Sequence, residues 1–119
     1  MVWHLVLMKP RGDLSAADRQ ALLDAFGRAV REIPTVREVR IGRRVQHGAA
    51  YETAAPDSAD FMVSIGFENL SDLQTYLRHP AHEELADRFY KSLSSALIYD
   101  FELEANATNG SLLGRNSQS

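Results

Sequence analysis

The sequence predicts an α+β fold, and three observations lead to that class. Apolar segments of strand length occur at residues 2–8, 36–44, 60–68 and 96–103. Amphipathic segments of helical length lie between them, at 15–33 and at 71–95. The chain has 119 residues and no cysteine, which suits one domain held together by an apolar core and excludes disulfides and thiolate chemistry. These segments follow one another in the order β-α-β-β-α-β.

The first helix is predicted from its cap and from its apolar spacing. Ser15 is a candidate N-cap, because its hydroxyl can accept a hydrogen bond from the first turn. Apolar residues recur every four positions and predict the buried stripe: Leu22, Phe26 and Val30. Pro34 then ends the helix.

The second helical segment is predicted to be broken into 71–79 and 80–95. His79 precedes Pro80, and a residue before proline is pushed out of helical geometry, so His79 is expected to mark the boundary. The long loop at 45–58 precedes the third strand, and loops of this length are often binding loops. Its His47 and Tyr51 are candidates for closing over a ligand.

The element order predicts a ferredoxin-like protomer, in which helices cover one face of a four-stranded antiparallel sheet. The strands are nevertheless apolar on both faces; in the first, for example, Trp3 and Leu5 oppose Val6 and Met8. The simplest way to bury the other face is to pack it against the sheet of a second copy of the chain. A homodimer is therefore predicted whose two sheets close into a dimeric α/β barrel. Residues 1–104 are assigned to this domain and 105–119 to a polar, flexible tail.

Charge and composition narrow the choice of partners. The formal net charge of −3 gives no global attraction to nucleic acid or anionic membrane, and neither is predicted as a partner. No segment approaches the length of a membrane helix and no signal peptide is visible, so a cytoplasmic location is expected. One stretch, in the second strand, is basic: Arg37, Arg40, Arg43 and Arg44. These arginines could bind an anion, but the favoured interpretation is a solvated edge of the sheet, where charges prevent pairing with other strands.

The segment "YLRHPAHEEL" carries the candidate chemistry. His82 falls in the first turn of a helix, where the positive end of the dipole disfavours imidazolium and keeps the ring neutral, as a general base requires. Tyr76 precedes the bend and could donate a hydrogen bond to a carbonyl oxygen. His4 shares a strand face with Val6. The alternative interpretation is structural: in it, His82 hydrogen-bonds near the helix start, and Tyr76 and His4 are packed in the core.

A small-molecule pocket is predicted between the helices and the sheet, because an apolar cleft with a few convergent polar groups is the usual form of such a site. Its walls are expected to be His4, Val6, Leu22, Phe26, Phe61, Val63, Leu77, Leu93 and Ile98. No metal site is predicted, since His79 and His82 need not converge and no third ligand is evident. No cofactor is predicted either, because phosphate-binding and nucleophile motifs are absent from the sequence.

Several segments resemble the stress-responsive dimeric α/β-barrel family: "VWHLVLMK", "DFMVSIGFEN", "YLRHPAHEELADRFY" and "ALIYDFE". The resemblance covers roughly residues 1–104 and implies a ferredoxin-like protomer and a sheet-to-sheet dimer. One plant relative is a polyketide cyclase whose working pair matches Tyr76 and His82. Phe61 stands where that cyclase has a further histidine, which implies a less polar pocket here.

The resulting hypothesis is a dimeric α/β-barrel protein that binds a small, largely apolar organic molecule. Its enzymatic form is a cofactor-independent cyclase or lyase, with His82 as base and Tyr76 as donor. Two alternatives stay open. One is a non-enzymatic, stress-associated assembly protein, and the other is a cofactor-free monooxygenase of a related dimeric-barrel class.

Overall fold

The computed structural model describes residues 1–57 and 59–114. Four strands pair antiparallel in the order β2-β3-β1-β4, with the helices packed on one face, so the predicted ferredoxin-like fold is confirmed. The elements in chain order are β1 (Val2–Pro10), α1 (Ala16–Glu32), β2 (Glu38–Arg43), α2 (Tyr51–Ala54), β3 (Phe61–Phe67), α3 (Leu70–Arg78), α4 (Pro80–Ser92) and β4 (Leu93–Glu102), followed by a 3-10 turn at Asn109–Ser111.

Helix α1 begins and packs largely as its sequence indicates. The Ser15 hydroxyl accepts a hydrogen bond from the backbone N–H of Asp18 at 3.1 Å. The most buried positions of α1 are Ala25 and Ala29, and the predicted stripe flanks them, partly buried. Helix α1 packs closely against α4, and small side chains allow two helices to approach each other. Ala25 and Ala29 also belong to one buried cluster with residues of the sheet.

The second helical segment ends earlier than predicted. Helix α4 stops at Ser92, and β4 begins at once with Leu93, so the expected helix to residue 95 is wrong. Leu93 has extended geometry (φ −111°, ψ 141°) and faces Pro10 across the sheet, while Arg11 donates its N–H to the Ser92 carbonyl at 2.9 Å. Pairing with β1 therefore overrides the weak helical preference of this serine-rich stretch.

The loop before β3 is more ordered than its length suggested. It contains α2, and the Glu52 carboxylate accepts hydrogen bonds from the backbone N–H groups of His47 and Gly48. At its far end the Asp57 carboxylate bonds Lys9 at 2.6 Å. The loop is thus tied to β1 by an ion pair.

The helices cover only part of the sheet. Helix α3 packs on β1 and β3, whereas from Ala96 onward every residue of β4 is exposed. On the face without helices, Leu97, Tyr99 and Phe101 of β4 are 40–53% exposed. An apolar surface therefore extends over this open face. Within the described ranges, none of the helices has the length and apolar character needed to cross a membrane.

Candidate functional site

Helix α3 presents Tyr76 to the interior, next to the bend at His79. The tyrosine ring packs on Phe67 of β3, with centroids 5.1 Å apart. His79 ends α3 and begins α4, and its Nδ1 accepts a hydrogen bond from the backbone N–H of Ala81 at 3.0 Å. An imidazole used in this way is a helix cap, which confirms the boundary role predicted for His79.

His82 lies one turn into α4, in edge contact with the Tyr76 ring at a centroid separation of 4.8 Å. Its pKa is lowered, first by burial and then by the nearby His4; the Leu77 backbone and the Glu83 carboxylate oppose the shift. The neutral imidazole is therefore favoured near pH 7. The sequence led to the same protonation state through the helix dipole, but the leading physical cause is loss of solvent around the ring.

Tyr76 is the most deeply buried polar ring of the group, with only 1% of its surface exposed. Burial raises the pKa of Tyr76 to about 12. The phenol therefore stays protonated at any biological pH. Such a group can donate a hydrogen bond to a carbonyl or an oxyanion, but it cannot act as the base.

His4 completes the cluster from the sheet. Its ring centroid is 5.8 Å from that of Tyr76, and its Nδ1 lies 2.7 Å from Oδ1 of Asp100, its direct neighbour on β4. A carboxylate can only accept, so Nδ1 of His4 carries the hydrogen and Nε2 is left to accept when the ring is neutral. The result is a connected set from β4 through β1 to α3 and α4: Asp100, His4, Tyr76 and His82.

Sequence reasoning missed Asp100. Strand parity already puts it on the helix-facing side of β4, together with Ile98. The missing information was the register that sets it opposite His4, which is 96 residues away in the chain.

Apart from His4 and Phe61, the predicted pocket walls fall into three groups. Val6 is buried beside His4, and Leu22, Phe26 and Val63 pack against the main core. Ile98 lies next to Val6 on the same face but is 50% exposed. Leu77 points largely outward at 37% exposure, and Leu93 lies at the Pro10 end of β4, apart from the cluster. The space between α1 and the sheet is thus largely filled, while the side toward β4 is uncovered.

One surface cleft borders this region, and another lies at the opposite end of the sheet. The first, of about 380 Å³, is lined by Asp100 together with Met1, Val2, Glu68, Asn69, Leu70, Phe101 and Glu102. Asp100 connects this cleft to the buried cluster, because it lines the cleft and is hydrogen-bonded to His4. A second, of about 550 Å³, lies between the end of β2 and the loop before β3, with Phe61, Arg43 and Arg44 among its walls.

The loop residues His47 and Tyr51 form a separate pair. The tyrosine hydroxyl lies 2.7 Å from Nε2 of His47, and both residues are exposed. They are not among the residues that line either cleft. Across residues 1–57 and 59–114, no three His, Asp or Glu side chains are grouped so that they could hold a metal ion.

Comparison with known proteins adds a family and a set of relatives. Residues 2–103 match the profile of the stress-responsive A/B barrel domain. Olivetolic acid cyclase from Cannabis sativa is 24% identical over 100 residues, which cover 84% of this chain and 94% of that protein.

Solved structures share the fold. Hydroxynitrile lyase from Passiflora edulis superposes with a TM-score of 0.73 at 15% identity, over 90% of this chain and 96% of that one. A protein from Jannaschia, described as dimeric, ferredoxin-like and of unknown function, has a TM-score of 0.68 at 19% identity, over 86% and 98% of the two chains.

Proposed function

Because the chain belongs to the stress-responsive A/B barrel domain family, we propose that it is a homodimeric protein that carries out cofactor-independent acid–base chemistry on a small, largely apolar organic molecule. The reaction class is a cyclase or lyase step. Similarity to a cyclase and to a lyase supports this class, since both lie on the same fold. The site residues of this chain supply the rest of the argument.

The observation that carries the proposal is the contact between two rings with complementary protonation states. His82 has a lowered pKa and is available as a base, whereas the raised pKa of Tyr76 keeps its phenol as a donor. In the proposed step, His82 takes a proton from the carbon next to a substrate carbonyl. The Tyr76 hydroxyl donates to the oxygen on which the resulting enolate charge collects.

The enolate carbon then attacks a second carbonyl of the same molecule, which closes the ring, and the new alkoxide takes a proton from the His82 imidazolium. No oxidant or metal is needed, because the proton removed at the start is returned at the end. His4, held by Asp100, would keep its Nε2 directed toward the cluster as a second acceptor. The uncovered Ile98 and the cleft at Asp100 offer an apolar surface and a route of access.

The proposed homodimer rests on the open sheet face. Its exposed apolar residues on β4 would be unusual on the surface of a monomer, and the Jannaschia neighbour is described as dimeric. Light scattering at micromolar concentration tests this part of the proposal. A mass of one chain, 13.3 kDa, would overturn it.

The chemical proposal is tested by thermal-shift screening followed by product analysis. The probes are linear β-polyketo acids, aromatic hydroxy acids and cyanohydrins. We expect a stabilising shift with the wild type, a reduced shift with His82→Ala, and a preserved shift with His47→Ala, an exposed histidine outside both clefts. Equal shifts in the wild type and His82→Ala would remove His82 from the site.

A second candidate is an assembly protein without a reaction. It is favoured by the packing of Leu22, Phe26 and Val63 against the core, which leaves little space under α1. A stable dimer that shows no shift across the whole probe panel would support this candidate over the enzyme.

A further inference from the structure

The cleft of about 550 Å³ is separate from the ring cluster and lies at the opposite end of the sheet from the first cleft. Its walls come from the end of β2, the loop before β3 and Phe61 at the start of β3. Backbone pairing joins these parts: Asp60 donates its N–H to the Met8 carbonyl at 2.8 Å, and Arg44 donates its N–H to the Asp60 carbonyl at 2.8 Å. The cleft is therefore built on the paired end of the sheet.

Most of the charged groups in the cleft walls already have partners. The Asp57 carboxylate accepts hydrogen bonds from Lys9 at 2.6 Å and from Arg44 at 3.4 Å. The Glu52 carboxylate accepts hydrogen bonds from two backbone N–H groups of its own loop. These groups hold the loop in place, so they are not available to a ligand.

Two charged groups of opposite sign are left in the cleft walls. Among the residues that the structure describes, Arg43 and Asp60 make no ion pair. Asp60 helps to raise the pKa of Lys9, but Lys9 bonds to Asp57 instead. The charged atoms of Arg43 and Asp60 also lie more than 4.0 Å from each other. The cleft thus presents one cation and one anion, each able to bind a group of a ligand.

The remaining walls and the charge balance narrow the class of ligand. Phe61 and Ala55 are apolar, and the Gln46 amide can both donate and accept hydrogen bonds. With Lys9 counted, three cationic side chains balance three carboxylates around the cleft. A balanced site favours neither a net anion nor a net cation, but it complements a molecule that carries one charge of each sign.

We propose that this cleft binds a free α-amino acid with an apolar side chain. The Arg43 guanidinium donates two parallel hydrogen bonds to the carboxylate of the ligand, and Asp60 accepts hydrogen bonds from its ammonium group. The apolar side chain of the ligand lies against Phe61. A volume of about 550 Å³ is within the usual range for small-molecule sites. This site is additional to the chemistry proposed at His82 and does not depend on it.

Isothermal titration calorimetry on the full chain tests the proposal with probes that differ in charge. The zwitterions are L-phenylalanine and L-leucine. The matched analogues of L-phenylalanine are 3-phenylpropanoate, which lacks the ammonium group, and 2-phenylethylamine, which lacks the carboxylate. Each analogue should bind at least about tenfold more weakly than L-phenylalanine, because one charged wall residue is left without a partner. Equal affinity for L-phenylalanine and either analogue, or no binding of both zwitterions at about 10 mM, would overturn the proposal.

Neutral variants of the two charged residues assign their roles. Arg43→Gln and Asp60→Asn should each weaken L-phenylalanine binding by at least about tenfold, whereas Asp60→Asn should leave 3-phenylpropanoate binding within about threefold of the wild type. Arg19→Gln removes an exposed cation on α1 and should leave the affinity for L-phenylalanine unchanged. Circular dichroism checks that each variant is folded. Folded Arg43→Gln and Asp60→Asn that bind L-phenylalanine like the wild type would refute the assignment, and the comparison of probes on the wild type decides the proposal if a variant does not fold.

Discussion

Replacement of Tyr76 by phenylalanine separates the chemical role of its hydroxyl from the packing role of its ring. Phenylalanine keeps the contacts with Phe67 and His82 but removes the group that burial holds protonated. At neutral pH the free energy of unfolding should change by less than about 1 kcal/mol, because burial alone raises the pKa of Tyr76 and no hydrogen bond to a described residue contributes to the shift.

At alkaline pH a difference should emerge, and its size follows from the pKa. A rise from 10.0 to about 12 means that the unfolded chain loses this proton before the folded protein does. The wild type is therefore destabilised as pH increases from about 10 to about 12, by about 1.4 kcal/mol at about pH 11 and at most by about 2.7 kcal/mol. Tyr76→Phe should escape this loss.

Guanidinium unfolding followed by circular dichroism, at neutral pH and near pH 11, measures the difference. Tyr90→Phe removes an exposed hydroxyl and serves as the matched control, expected to follow the wild type. If Tyr76→Phe loses as much stability as the wild type between the two pH values, the hydroxyl is not held in a desolvated site. A loss above about 2 kcal/mol at neutral pH would instead show that the hydroxyl has a structural partner.

Three further substitutions test other features by urea unfolding. His79→Ala should cost about 1 kcal/mol because α4 loses its N-cap, and His79→Asn should recover most of it; equal losses would contradict the capping role. Gly66→Ala should lower the free energy of unfolding by about 1–3 kcal/mol, because the added Cβ would lie 3.2 Å from the Trp3 indole. The added Cβ of Gly12→Ala would have no atom within 4 Å, so this control should leave the stability nearly unchanged. The lowered pKa of His82 means that the unfolded chain binds this proton before the folded protein does, so the wild type loses stability as the pH falls from about 7.5 to about 5. His82→Gln should lose less free energy of unfolding over the same pH range. An unchanged loss would show that the ring is solvated.

The features that could be predicted from the sequence are governed by local rules. Strand parity identified the two apolar faces, Ser15 signalled the start of α1, and the proline after His79 located the bend. Tyr76 and His82 flank that bend closely, so their proximity was also within reach.

The features that were missed depend on pairing between distant segments. The end of α4 is set by Leu93 facing Pro10 across the sheet, a contact that no helix propensity encodes. The Asp100–His4 bond likewise needs the register of β4 against β1. The packing of Leu22, Phe26 and Val63 against the buried core also depends on a cluster that joins α1 to distant strands.

The shared cap at His79 limits how this segment can change in length. Tyr76 lies three residues before it and His82 three residues after it, and no loop separates α3 from α4. One inserted or deleted residue within either helix would turn the rest of that helix by about 100°. The rings of Tyr76 and His82 would then lose their contact. The spacing between these two residues therefore tolerates substitutions far better than insertions.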